Sequence, residues 1–338
     1  MRRRCDPPSV ALMTATIVVG VDDSPRSEDA IALARALADL AGAEVLAVCA
    51  FPYDDDPEAH FNLAMRPVLQ ELADKTLEKL CEPLTNDARV RRLAVADLSP
   101  ARALERVAHE QHASLIVVGS SHAGSHTRLQ PGSTAQRLLQ GAPCPVALAP
   151  LGYRLRPHVE LRRVSVAYDG SSEGARALSA SLLVARAAGA TLRVIRVFSP
   201  DWPVPPTMLS VPGYVRLMPA AEEAARKELE RTVAALPKDV WAEPAFLHGD
   251  PAHQLALESE VADLLVIGSR GYGPMKSVLL GGVSGKIVRT AACPVLIVPH
   301  GADGSLDPLF DHGLRETTQT DGGVSRTIEG AARVAFSM

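Results

Sequence analysis

Two stretches of this sequence hold glycines at a spacing that could serve phosphate chemistry. One reads "GSRGYGPMKSVLLGG" and places Gly268, two residues, Gly271, nine residues, then Gly281 and Gly282. The other reads "GSSHAGSHTRLQPGS" and places Gly119, two residues, His122, nine residues, then Gly132 and Ser133. Glycine loops leave backbone N–H groups open, and the start of a following helix carries partial positive charge, so an anion is stabilised there. A second polar signal is the aspartate in "GVDDS" (Asp22) and in "AYDGS" (Asp169). A carboxylate or backbone amide at that point can hydrogen-bond a ribose or base edge. The chain has no G-x-x-x-x-G-K-[ST] loop, no carboxylate cluster suited to Mg²⁺, and no His or Glu poised by sequence as a general base.

The elements that must position these residues occur twice. "ATIVVGVDDSPRSEDAIALARALADLAGAEVLAVCAF" (15–51) matches "RRVSVAYDGSSEGARALSASLLVARAAGATLRVIRVF" (162–198). "SLIVVGSSHAG" matches "DLLVIGSRGYG", and "GAPCPVALAP" matches "TAACPVLIVP". Blocks repeated in the same order mark a duplicated domain of about 145 residues. Each copy reads as five apolar runs (16–21, 44–50, 90–96, 115–118, 145–149; 164–168, 191–197, 241–247, 264–267, 294–298) alternating with helices. Ser24-Pro25 predicts an N-cap and first helical residue, and Gly42 and Gly189 predict helix stops. A further helix is predicted at about 61–80 and 219–235. The strands are continuously apolar, which predicts α/β domains, each a doubly wound parallel sheet with helices on both faces. In such a sheet ligands sit beyond the strand carboxyl ends, where both signals fall.

The boundaries predicted are an N-terminal extension over 1–13, domains over 14–150 and 161–300, a polar linker over 151–160, and a mostly disordered tail over 301–338. Met13 is a candidate natural start. A net charge of −4 argues against a nucleic-acid surface, and no apolar run is long enough to cross a membrane. The five cysteines form no C-x-x-C pair, so reduced thiols in the cytoplasm are expected, with Cys144 and Cys293 as packing residues.

With the glycine spacing in strand context in both copies, the chain resembles a tandem universal stress protein, over about 15–150 and 162–299. ATP-binding members carry G-x2-G-x9-G-(S/T) after the fourth strand, and others lack it and bind none. The resemblance implies a Rossmann-like five-stranded parallel sheet in the order 3-2-1-4-5 and a stress-response role. It implies ATP, alone or with Mg²⁺, or AMP as ligand. It also implies that Asp22 and Asp169 lie near adenine and ribose, and that Ala50 and Val197 face adenine. Gly119 and Gly268 would form the ribose and phosphate turn. Gly132, Ser133 and Thr134, and Gly281, Gly282, Val283 and Ser284, would form the phosphate cradle. Each copy departs once: His122 replaces the second glycine, and Gly282 replaces the hydroxyl residue. Copy two is expected to hold ATP better, with Arg270 and Lys276 adding charge. The duplication resembles the family's dimer made covalent, so the fifth-strand edge should pair within the chain or, in a homodimer, with another molecule.

Plainer readings stand beside these. Asp22 and Asp169 could cap a turn, and the glycines could serve close helix–sheet packing. His122 and His126 have helical metal-ligand spacing, but Gly124 intervenes and no carboxylate is near. The run 54–56, Arg91-Arg92 and Arg162-Arg163 read as solvated surface, and 199–214 as a lid or a linker. An adenylating or pyrophosphatase-type enzyme would need the glycine pair that "GVDDS" and "AYDGS" lack. A nucleotide-free interaction module is the third reading.

Overall fold

The apolar runs become strands because helices cover them on both sides. Ile17, Val18 and Val19 are fully buried, as are Leu264, Leu265 and Val266 in the second copy. The computed structural model describes residues 15–53, 65–84, 87–120, 132–156, 160–199, 214–269, 282–299 and 306–310. Copy one runs β1 (Thr16–Val21), α1 (Pro25–Ala41), β2 (Glu44–Phe51), α2 (Met65–Cys81), β3 (Val90–Ala96), α3 (Pro100–Glu110), β4 (Leu115–Gly119), α4 (Ser133–Gly141) and β5 (Val146–Ala149). Copy two runs β6 (Arg163–Ala167), α5 (Ser172–Ala188), β7 (Thr191–Phe198), α6 (Tyr214–Ala234), β8 (Ala242–His248), α7 (Pro251–Glu258), β9 (Leu264–Gly268), α8 (Gly282–Thr290) and β10 (Val295–Val298). A short helix, α9 (Asp307–Phe310), follows.

Each copy has the order 3-2-1-4-5, and the two are joined edge to edge into one ten-stranded sheet, β3-β2-β1-β4-β5-β10-β9-β6-β7-β8. Pairing is parallel within each copy and antiparallel at the seam, where Ala147 sits opposite Leu296. Every residue of β5 and β10 is buried. The seam thus closes two edges that a lone copy would leave open for other chains. Two apolar layers flank the sheet, and both run through the two copies. One lies under α1, α2, α5, α6 and α9, the other under α3, α4, α7 and α8.

Four local readings differ from the sequence expectation. Ser24 stands at the N-cap of α1 with extended backbone, but its hydroxyl donates to Asp22 rather than accepting a helix amide. Helix α6 begins at Tyr214 rather than near 219, so Pro219 lies inside it, where the ring removes one backbone N–H from the helical ladder. The linker is polar in composition yet packed: Tyr153 is 1% exposed, and Leu161, just after the linker, is 4% exposed. Asp29 of α1, itself 0% exposed, accepts N–H bonds from Gly152 (2.8 Å) and Arg154 (3.0 Å). In the tail, Leu306, Leu309 and Phe310 are buried, with α9 lying against α5, so residues 306–310 are ordered where a structureless segment was expected. The rest of the tail, residues 1–13, the acidic run 54–56 and the proline-rich stretch 200–213 lie outside the described residues. Gly42 and Gly189 end α1 and α5 with φ of +63° and +61°, as the stop signal predicted.

Candidate functional site

Strand order brings the marked residues together. β1 lies between β2 and β4, so Ala50, Asp22 and Gly119 stand at the carboxyl ends of three adjacent strands. β6 lies between β7 and β9, and Val197, Asp169 and Gly268 repeat the arrangement. Ala50 and Val197 face the layer that holds the final helices α4 and α8. Helix α4 opens at Ser133, with Gly132 as its N-cap in extended conformation, and Ser133 is exposed. Helix α8 opens at Gly282, with Val283 exposed. The first turn of α8 is tied to the end of β9, because the Ser284 hydroxyl donates to the Gly268 carbonyl at 2.8 Å. That bond uses the hydroxyl proton that a phosphate contact would need. Thr134, the first-copy counterpart of Val283, is partly exposed. His122, Gly271 and Gly281 lie outside the described residues, as do His126, Arg270 and Lys276.

The aspartates are engaged by their own loops. Arg26 Nη2 donates to Asp22 Oδ2 at 3.0 Å, the Ser27 hydroxyl lies 2.9 Å from Oδ1, and the Ser24 hydroxyl donates to the same oxygen. Asp169 Oδ1 accepts from the Ser171 N–H at 2.9 Å. The turn-capping reading therefore describes a real part of their role. Below Asp22, burial first, and then the charges of Asp22, Asp74 and Asp23, push the Cys49 thiol up to about 11. That lip is partly neutralised by Lys79, 3.0 Å from Asp23.

The strand-end glycines are held for packing as well. A Cβ on Gly119 would lie 2.5 Å from the Arg26 carbonyl oxygen and 2.8 Å from the Arg26 Cβ. On Gly268 it would lie 3.2 Å from the Glu173 Cβ. Helices α1 and α5 therefore start almost in contact with the fourth strand of their own copy, which fixes the aspartate loop beside the glycine turn. Gly282 has open space in the Cβ direction.

Two charged residues escaped the sequence reading. Arg137 and Lys286 fall on the same position of the matched final helices. Each reaches the N-cap of the preceding helix, Ser99 at 3.4 Å and Asp250 at 3.7 Å. Aligning the copies beyond the glycines would have shown the pair. Among the described residues no group of three His, Cys, Asp or Glu is placed to hold a metal ion. No described helix is long and apolar enough to cross a membrane. Cys144 and Cys293 are buried packing residues, with burial pushing both thiols up to about 12.

Comparison with known proteins agrees with this architecture. The chain is 30% identical over 195 residues to universal stress protein Rv2319c of Mycobacterium tuberculosis, covering 57% of this chain and 66% of that protein, just under two thirds of its length. It is 34% identical over 148 residues to a Thermus aquaticus universal stress protein, covering 40% of this chain and 98% of the relative. The crystal structure of a universal stress protein from Archaeoglobus fulgidus shares the fold, with a TM-score of 0.57 at 19% identity over 85% of this chain and 98% of that one. The family model described as "Universal stress protein family" matches residues 13–150 and again 160–299, the two halves that the strand order separates. With both halves matched and each folded in the order 3-2-1-4-5, the chain belongs to the universal stress protein family, as a tandem pair.

Proposed function

We propose that the chain is a cytoplasmic nucleotide-responsive regulator that binds ATP, alone or with Mg²⁺, or AMP at the strand carboxyl ends, without efficient catalysis. The observation that carries this reading is the convergence, in both copies, of the aspartate loop, the second-strand residue and the fourth-strand glycine on three adjacent strands. Backbone amides at the openings of α4 and α8 would meet the phosphates, with their helix dipoles adding to the attraction. Asp22 and Asp169 would meet ribose or base through lone pairs left over from their loop bonds. Mg²⁺, if bound, would enter with the phosphates and neutralise their charge. Occupancy would then set the conformation or partner affinity of the joined pair.

Mass spectrometry of denatured, freshly purified protein, with calorimetry for stoichiometry, tests the proposal. Co-purified ATP or AMP, or calorimetric binding of either, supports it. Gly271→Val and Gly281→Val should then abolish binding by copy two. Normal ATP binding by both folded variants would remove the phosphate-cradle assignment. A nucleotide-free interaction module is favoured by one observation, that Asp22 and Gly119 already have structural roles through Arg26 and Ser27. It predicts no nucleotide in either assay. Turnover of labelled ATP at enzyme-like rates would instead favour a hydrolase.

A further inference from the structure

A cleft of about 820 Å³ opens where α1, the end of α5 and the linker meet. None of the strand-end loop residues lines it. Its apolar wall is made by Ala32, Ala36 and Leu40 of α1 with Leu161, just after the linker. Arg35, Arg154, Arg156 and Arg162 stand around it, together with Asp39 and Glu160.

The charges are not all balanced. Arg154 is 2.7 Å from Glu28 and 3.3 Å from Asp29. Arg162 is 2.8 Å from Glu160, and Asp39 is engaged by Arg89 at 2.6 Å. Arg35 reaches only Asp87, at 4.0 Å, and its buried Nε has no hydrogen-bond partner among the described residues. Arg156 donates to the Ala292 carbonyl at 2.7 Å and lies 5.9 Å from the Tyr153 ring centre, with no carboxylate within ion-pair distance among the described residues. Arg35 Nε is closed off from solvent, so the donors these two guanidinium groups can offer the cleft are their terminal nitrogens. Guanidinium is built for bidentate contact with carboxylate or phosphate.

In the second copy the chain leaving the fifth strand lays α9 against α5, with Leu306, Leu309 and Phe310 buried. On α1 the equivalent chain packs Tyr153 and Leu161 and leaves the cleft. Its volume is in the range of small-molecule sites, but it is open to solvent and lined about equally by charged and apolar residues.

We propose that this junction cleft binds a small organic anion, with a carboxylate or phosphate held by Arg35 and Arg156 and an apolar body against Ala32, Ala36 and Leu40. The site stands independently of the nucleotide reading.

The test uses the full chain and two probes, phenyl phosphate and 4-phenylbutyrate, titrated by calorimetry with and without excess ATP. We expect saturable binding of at least one probe, unaffected by ATP. Arg35→Gln should weaken it about tenfold or more through loss of a charge-assisted contact. Ala36→Phe should abolish it by filling the cleft, with unchanged circular dichroism. If either variant fails to fold, the other decides. A preference between the probes identifies phosphate or carboxylate as the favoured head group. Absence of saturable binding by both probes, displacement by ATP, or full binding by Ala36→Phe would overturn the proposal.

Discussion

Replacing Gly119 and Gly268 by alanine separates two kinds of glycine that share one motif position. At Gly119 the new methyl would sit 2.5 Å from the Arg26 carbonyl oxygen, 2.8 Å from its Cβ and 3.0 Å from its carbonyl carbon. That is about 0.9 Å short of ordinary contact at 3.4 Å, and two of those three atoms are backbone. Helix α1 must move at its first turn, and overpacking of this kind costs about 1–3 kcal/mol. Alanine returns about 0.4–1 kcal/mol by restricting the unfolded chain. The difference spans roughly 0–2.6 kcal/mol, and the overlap with backbone atoms places it in the upper half of that range. At Gly268 the nearest atoms are at 3.2, 3.3 and 3.4 Å, so a shift of a few tenths of an ångström suffices. The two terms then cancel to within about 0.5 kcal/mol. Guanidinium denaturation gives the stabilities, and hydrogen exchange shows whether protection is lost in α1 and β4 alone. Equal destabilisation by the two variants, or a neutral Gly119→Ala, would refute the argument. Because Arg26 also holds Asp22, Gly119→Ala should weaken any ligand of copy one even though its methyl points into the helix.

Three further outcomes follow from the same structure. Gly282→Ser places a hydroxyl in open space at the start of α8, so the fold should be retained and copy-two affinity for ATP should rise by about 1 kcal/mol, roughly fivefold, by calorimetry. Asp29→Ala removes the acceptor for the Gly152 and Arg154 amides and should cost about 2–4 kcal/mol in denaturant; a loss below about 1 kcal/mol would mean that water replaces the carboxylate freely. Burial pushes the Asp97 carboxyl up, but bonds from Arg102 and the Ser99 amide, with Arg106 nearby, hold it below the usual carboxylate range. Its contribution is therefore present above the unfolded value near pH 4 and lost as pH falls through the lower folded value, so Asp97→Asn should flatten the acid limb of a stability–pH curve.

What the sequence made legible was whatever repeats or alternates. The strands and helices follow from the apolar runs, and the helix stops from Gly42 and Gly189, whereas the strand order that brings Asp22 to Gly119 was legible only through the family resemblance. The linker was opaque because its order comes from across the molecule. Tyr153 has no periodic neighbours, and Asp29 reads as one more polar residue on a helix until its partners 123 and 125 residues away are placed. The tail helix was hidden for the same reason, since Leu306, Leu309 and Phe310 are too few to show a period. The glycines were legible as a motif but ambiguous in role. Only the distance from Gly119 to Arg26 shows that a strand-end glycine also sets helix packing.

The seam gives a physical reason for the two copies to differ. Both apolar layers run unbroken across β5 and β10, so neither copy has to be stable alone. Copy two carries a polar cluster where copy one is apolar. Ser165 donates to Glu258 at 2.8 Å, and Arg193 lies 3.2 Å from Glu258 and 2.9 Å from Glu243. Val18 and Leu46 hold the positions of Ser165 and Arg193 in copy one, both buried. Glu258 is buried while Arg193 and Glu243 stay partly exposed, so the cluster satisfies one buried carboxylate in copy two. Copy one has the tighter strand-end glycine and the acidic lip, while copy two has the roomier Gly268 and the open Gly282. Openness is thus divided unequally between halves that share one sheet. If the proposed nucleotide binds, the open space at Gly282 makes copy two the first to fill, and calorimetric stoichiometry reads whether copy one follows.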